Sequence, residues 1–132
     1  MIKFVEGRSV NPGEKVEIYF NIQKGGFSIV SRDKSNPNKG RVCAHVSNAQ
    51  IENATFHIND KKFAAIGEKG KKHVYAIVKG TLVGFDNIGQ AGMAPGYCNP
   101  QAQKEFINFD TKEIVTKAKI VNFYDRYFSY QA

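Results

Sequence analysis

Lys15–Ser31, KVEIYFNIQKGGFSIVS, decides how the rest of the chain is read. Val16, Ile18, Phe20 and Ile22 alternate with Glu17, Tyr19 and Asn21. A period of two sends every second side chain to one face, the pattern of a half-buried strand rather than of a helix. Gln23-Lys24-Gly25-Gly26 then supplies turn formers, and Phe27 and Ile29 share a face in the run that follows. The stretch predicts a β-hairpin.

The same period continues along the chain. Val42, Ala44 and Val46 predict a third strand, and Ile51–Ile58 a fourth in which Ala54, Phe56 and Ile58 alternate. Between them Arg32–Gly40, RDKSNPNKG, holds turn formers and no large apolar residue, so it predicts an exposed basic loop. Asn59 can cap a short helix over Asp60–Ile66, with Phe63 and Ile66 on one side and Gly67 ending it. In Glu68–Gly80, EKGKKHVYAIVKG, a basic loop leads into a strand that can run on through Leu82 to Phe85. Val74, Ala76 and Val78 are expected to point inward there, and Tyr75, Ile77 and Lys79 outward. Asp86–Gln103, with Gly89, Gly92, Pro95 and Gly96, reads as a long irregular loop. Phe106–Phe109 and Ile114–Tyr124 flank Asp110-Thr111-Lys112-Glu113 as a final hairpin, and the aromatic tail with Tyr127, Phe128 and Tyr130 is expected to pack. With 132 residues, no linker and no repeat, the chain predicts a single domain over residues 1–132. The expectation is mainly β with short α, roughly six to eight strands in a barrel or strongly bent sheet.

Composition narrows the partners. Hydrophobic residues make up 42% and charged residues 23%, which suits a folded domain and excludes wholesale disorder. The net charge of +7 favours polyanions. It is concentrated: Lys61–Lys79 holds six Lys against Glu68 alone, and Lys24–Arg41 holds Lys24, Arg32, Lys34, Lys39 and Arg41 against Asp33 alone. No apolar run approaches the roughly 20 residues of a membrane span, so no membrane partner is expected. The start, MIKFVEGRSVNPGEK, does not read as a signal peptide. Cys43 and Cys98 are too few for a disulfide framework, which points to reduced thiols and a cytoplasmic location.

Motifs for chemistry are sparse. Cys43 and His45, two apart on a strand, share a face. A zinc site needs two more ligands, and no CxxC or HxxxH spacing supplies them. A small enzyme using Cys43 and His45 is the catalytic alternative; the bland reading is a buried Cys beside a half-exposed His. His57 lies between Phe56 and Ile58 and reads as a solvated strand residue. Gly84-x-x-x-x-Gly89 lacks the Lys-Ser/Thr of a phosphate-binding loop. Glu14/Glu17 and Asp110/Glu113 look solvated. The expectation is therefore no enzyme, no metal and no cofactor.

The segments YFNIQKGGFSIVS, GRVCAH, IENATF and EKGKKHVYAIVKG, in that order, resemble a family of small basic proteins encoded by phages and conjugative plasmids. CNPQAQKEFINFDTKEIVTKAKIVNFYD resembles the family's Asn-Pro-containing hairpin and its ending. The likeness runs from about Tyr19 to Asp125, departing at Gly70 and in the Gly-rich loop. Within that group the chain is similar to PrgU-type regulators of Gram-positive plasmids. That resemblance implies a PUA-like mixed β-barrel and non-catalytic RNA binding in post-transcriptional control.

Charge and aromatic placement then name a nucleic-acid site. Lys24, Arg41, Lys69, Lys71 and Lys72 are the expected phosphate contacts, and Phe27, His73 and Tyr75 the expected stacking or edge contacts. Single-stranded or structured RNA suits a β-surface better than duplex DNA, which calls for a long basic helix. The alternatives are an OB-like single-stranded DNA binder and a protein-interaction module that inhibits a host factor.

Overall fold

Alternation becomes sheet almost everywhere. The computed structural model describes residues 2–21, 23–59, 76–85, 94–97, 106–108, 110–124 and 127–132. They form β1 (Ile2–Phe4), β2 (Lys15–Asn21), β3 (Gly26–Ser31), β4 (Val42–Val46), β5 (Asn48–Ile58), β6 (Ala76–Gly84), β7 (Ala94–Tyr97), β8 (Ile107–Asn108), β9 (Lys117–Tyr124) and β10 (Tyr127–Gln131). All pair antiparallel in one ten-stranded sheet of order β1-β4-β3-β2-β6-β5-β9-β10-β7-β8. No helix occurs among the described residues. The expected helix over Asp60–Ile66 lies outside them.

The hairpin of the opening stretch forms as its residues dictate. Val16, Ile18 and Phe20 on β2 and Phe27 and Ile29 on β3 are buried together. Asn21 and Gly26 are the last paired residues. The turn between them closes on Asn21, whose carbonyl accepts from Gly25 N–H at 2.9 Å and whose Oδ1 accepts from Lys24 N–H at 3.2 Å. Gly25 has φ 69°, a conformation an L side chain rarely adopts.

One aromatic contact shows the shape of the whole sheet. β3 and β9 are four strand steps apart in the order, about 19 Å along a flat sheet at about 4.8 Å per step. The Phe27 and Phe123 ring centroids are nevertheless 5.2 Å apart. The sheet must roll until its two halves face each other. The inner face carries the core, extended at the far end by Phe56, Phe106 and Phe128, whose centroids lie 4.9 to 5.9 Å apart.

The expectation of a mainly β fold holds, as the strongly bent sheet, while the PUA-like mixed barrel is corrected in two respects. Every strand pair among the described residues is antiparallel, and the sheet stays open, because β1 and β8 end the order without pairing with each other. β1 is three residues long and β8 two, too short to offer a closing row of hydrogen bonds, so side-chain packing does the closing. Three strands, β1, β7 and the tail strand β10, were absent from the expectation. β1 has only exposed residues and forms on the free edge of β4. β7 lies inside the expected irregular loop and includes Pro95 and Gly96. β8 pairs only from Gly96 onward, so Pro95, which has no N–H, disrupts no ladder bond on that side.

The long β5 strand bends at Glu52–Asn53. Asn53 has φ 52°, and the pairing with β6 shifts register there. Gly80 on β6 faces this bend. A Cβ at Gly80 would come within 2.8 Å of the Glu52 carbonyl oxygen and 3.1 Å of Ile51 Cδ1. Gly80→Ala should therefore destabilise the domain by about 1–3 kcal/mol through forced backbone displacement. Gly84→Ala, where nothing lies within 4 Å, should be neutral or slightly stabilising. Urea unfolding of the two variants checks this; equal effects would contradict the close approach.

Candidate functional site

On β2 the inward set leaves Lys15, Glu17, Tyr19 and Asn21 for the outer face. Register completes the neighbourhood. Lys79 on β6 is the pairing partner of Glu17, Thr55 on β5 that of Lys79, and Thr81 on β6 that of Lys15. The loop of residues 32–41 folds against this face. Arg32 N–H donates to the Lys15 carbonyl at 2.7 Å, and Lys15 N–H donates to Asp33 Oδ2 at 3.2 Å.

Polar side chains fix the loop in place of apolar ones. Asn36, only 9% exposed, donates through Nδ2 to the Ser9 carbonyl at 2.9 Å and to Glu14 Oε1 at 2.8 Å. Glu14 also accepts from Ser31 Oγ at 3.1 Å and from Asn11 N–H at 2.6 Å. Asp33 Oδ1 accepts from the Ser35 hydroxyl at 2.7 Å and Ser35 N–H at 3.0 Å. These bonds, the hydroxyl first, hold the Asp33 pKa below its ordinary 3.8.

Between loop and sheet lies a cleft of about 680 Å³ whose lining includes Lys15, Arg32, Lys39 and Lys79 and one carboxylate, Glu17. Glu17 is 8% exposed. Its Oε1 pairs with Arg32 Nε at 3.0 Å and Lys79 Nζ at 3.6 Å, while Oε2 accepts from Arg32 Nη2 at 3.1 Å. Glu17 thus grips the Nε–Nη2 edge of the guanidinium, and Nη1 lies near Gly40, where an added Cβ would meet it at 3.6 Å. The Arg32 and Lys79 side chains remain about half exposed, at 47% and 49%. Among the described lining residues, four cations against one carboxylate leave an excess of three positive charges.

The expected site residues separate on this frame. Lys69, Lys71, Lys72, His73 and Tyr75 lie outside the described residues. Lys24 is exposed in the β2–β3 turn and Arg41 is exposed just before β4, at opposite ends of the β3–β4 pair. Phe27 is a correction: at 1% exposure, its ring packs against Phe20 and Phe123 and has no face for a base. Glu14 and Glu17 are corrections too, since each is bound rather than solvated. Among the residues of the cleft, Lys15 and Glu17 carried no motif. Arg32, Lys39 and Lys79 were visible only as members of basic runs.

Cys43 sits where the β3–β4 register shifts and is buried with the core cluster, whereas His45 is half-buried and pairs with Ser28. Cys43 is a free, buried thiol whose Sγ lies 3.4 Å from the Arg41 carbonyl. His45 instead meets Ser28, with Nδ1 2.9 Å from Oγ, and Ser28 Oγ accepts from Asn21 Nδ2 at 3.1 Å. Burial, and after it the nearby ammonium groups of Lys24 and Lys3, holds the His45 pKa below its ordinary 6.5. No group of His, Cys, Asp and Glu among the described residues could hold a metal ion. No helix among them is long and apolar enough to cross a membrane.

The chain belongs to the family of the Mycobacterium phage L5 gene 82 protein, whose model matches residues 9–131. That places it in a phage protein family, as the resemblance of its segments led one to expect. No curated protein and no solved structure matches it.

Lowered His45 basicity has a consequence for stability. The unfolded chain takes up the imidazole proton more readily than the folded one. Stability should be intact above about pH 6.5 and should fall as the pH drops below that value toward the lowered folded pKa. Urea unfolding at about pH 7.5 and about pH 5.5 reads the slope. His45→Asn should flatten it, and an unchanged slope would contradict the assignment.

Proposed function

We propose that this phage-family protein is a non-catalytic RNA-binding regulatory protein of a mobile element, acting in post-transcriptional control. The observation that carries the reading is the cleft over β2 and β6. It gathers Lys15 and Lys79 from the sheet and Arg32 and Lys39 from the loop beside it, and among the described lining residues the one carboxylate, Glu17, is already paired. Preplaced cations neutralise phosphates with little loss of side-chain freedom, and a guanidinium with an open edge suits the phosphate oxygens. The likeness to PrgU-type regulators supplies the RNA and the regulatory role. The basic run of Lys69, Lys71 and Lys72 would supply further phosphate contacts. The cleft does not by itself separate ribose from deoxyribose, so single-stranded DNA is the competing ligand.

A titration of the full chain against fluorescein-labelled single-stranded RNA, the matching DNA strand and an RNA duplex, each at two salt concentrations, tests this. Affinity should be highest for RNA and should fall with salt by about 0.7 in log–log slope for each phosphate neutralised. Arg32→Gln should lower that slope by about 0.7, and reversing Lys69, Lys71 and Lys72 to Glu should weaken binding sharply without lowering the melting temperature. Absent or salt-independent RNA binding would overturn the reading.

A further inference from the structure

Beyond the cleft, the outer face continues along β2 as a row of rings and polar groups. Tyr19 lies two residues from Glu17 on the same face, about 7 Å along the strand. Its pairing partner on β3 is Ser28, whose partner on β4 is His45, whose partner on β1 is Lys3. On the other side, Glu17 pairs with Lys79 and Ile18 with Val78, so the antiparallel register sets Tyr19 beside Ile77 on β6. Ile77 pairs with His57 on β5. Tyr19, Ile77 and His45 are half-buried and His57 is exposed. His57 also touches the cleft, its Nε2 lying 2.8 Å from the hydroxyl of Thr55, a cleft-lining residue.

Inward alternation explains why Ile18, Phe20, Ala76 and Val78 are buried. It gives no reason for an aromatic ring and two imidazoles to line up across the middle of the outer face. Cations bracket the row: Arg32 and Lys79 at the cleft, Lys3 and Lys24 beside His45. Rings between cations, on the rigid central strands of a sheet, are the arrangement that binds an unpaired strand, with phosphates at the charges and base faces on the rings.

We infer that the outer face of β2 and β6 is a base-stacking platform for single-stranded RNA, with Tyr19 as its principal stacking residue and His57 and His45 flanking it. This rests on the RNA-binding reading and adds to it the strandedness of the ligand and the residue that meets the bases. A strand whose phosphate sits on Arg32 lays its next bases over Tyr19. A duplex keeps its base faces internal and gains nothing from the platform.

The test compares the wild-type chain, Tyr19→Leu, Tyr19→Phe and Arg32→Gln with the labelled single-stranded RNA and its duplex. The platform predicts that Tyr19→Leu weakens single-strand binding by about 5- to 150-fold, the loss of one stacked base. Tyr19→Phe should keep wild-type affinity, and duplex binding should be indifferent to both. Unchanged single-strand affinity in Tyr19→Leu, with a loss in Arg32→Gln, overturns the platform and leaves RNA binding standing. A wild-type chain that binds no RNA overturns both. If Tyr19→Leu melts early, the wild-type chain still decides: on adding the single strand, the ring-proton resonances of Tyr19 and His57 should shift upfield. Unmoved resonances at saturation overturn the platform.

Discussion

The contact of Phe27 with Phe123 is the constraint on which the rest depends. Two rings four strands apart can touch only if the sheet curls, and the curl gives the sheet a core along its inner face. The inner face then collects the apolar half of each alternating strand. Ile18, Ile29, Ile51, Val78 and Val121 are almost wholly inaccessible there. Because the roll satisfies burial from one side, the outer face of β2 and β6 is left free to carry polar and charged groups.

Glu17 shows how that freedom is used. A carboxylate removed from water is costly unless paired. Arg32 grips it through two bonds and Lys79 through a longer contact. With both cations about half exposed, each pair adds little to stability, about 1 kcal/mol or less. The larger effect is geometric. The carboxylate stations two cations at the cleft wall and ties the loop of residues 32–41 to the sheet. Asn36 and Glu14 secure the same loop from behind, so its charges are held in place rather than scattered in solvent.

Much of the frame was legible because alternation is a local signal. Val16, Ile18 and Phe20 turn inward as their period demands, and so do Ala76 and Val78, while Ile77 and Lys79 turn outward. Phe128 is buried in the packed tail. Long-range partners were not legible. β1 exists because β4 has a free edge, and no residue of Ile2–Phe4 announces it. Pro95 and Gly96 signal a loop until β10 pairs with them as part of β7. The site was legible only as charge density. Phe27 stands beside Lys24 in sequence, yet its period assigns it to the core, and Tyr19, on the opposite face of the paired strand, has the outward position. Glu17 alternates with Val16 and Ile18 like any solvent-facing residue. Its burial depends on a loop that reaches it from beyond β3.

On the proposed reading, the inner face of the rolled sheet makes the fold and the outer face of its central strands makes the contact with RNA. Photo-cross-linking of the full chain to thiouridine-substituted single-stranded RNA, with the adducts located by peptide mass spectrometry, tests this most directly. The account predicts adducts on the peptides carrying Tyr19 and His57. Adducts confined to the edge strands β1 and β8, with none on β2 or β5, would contradict it.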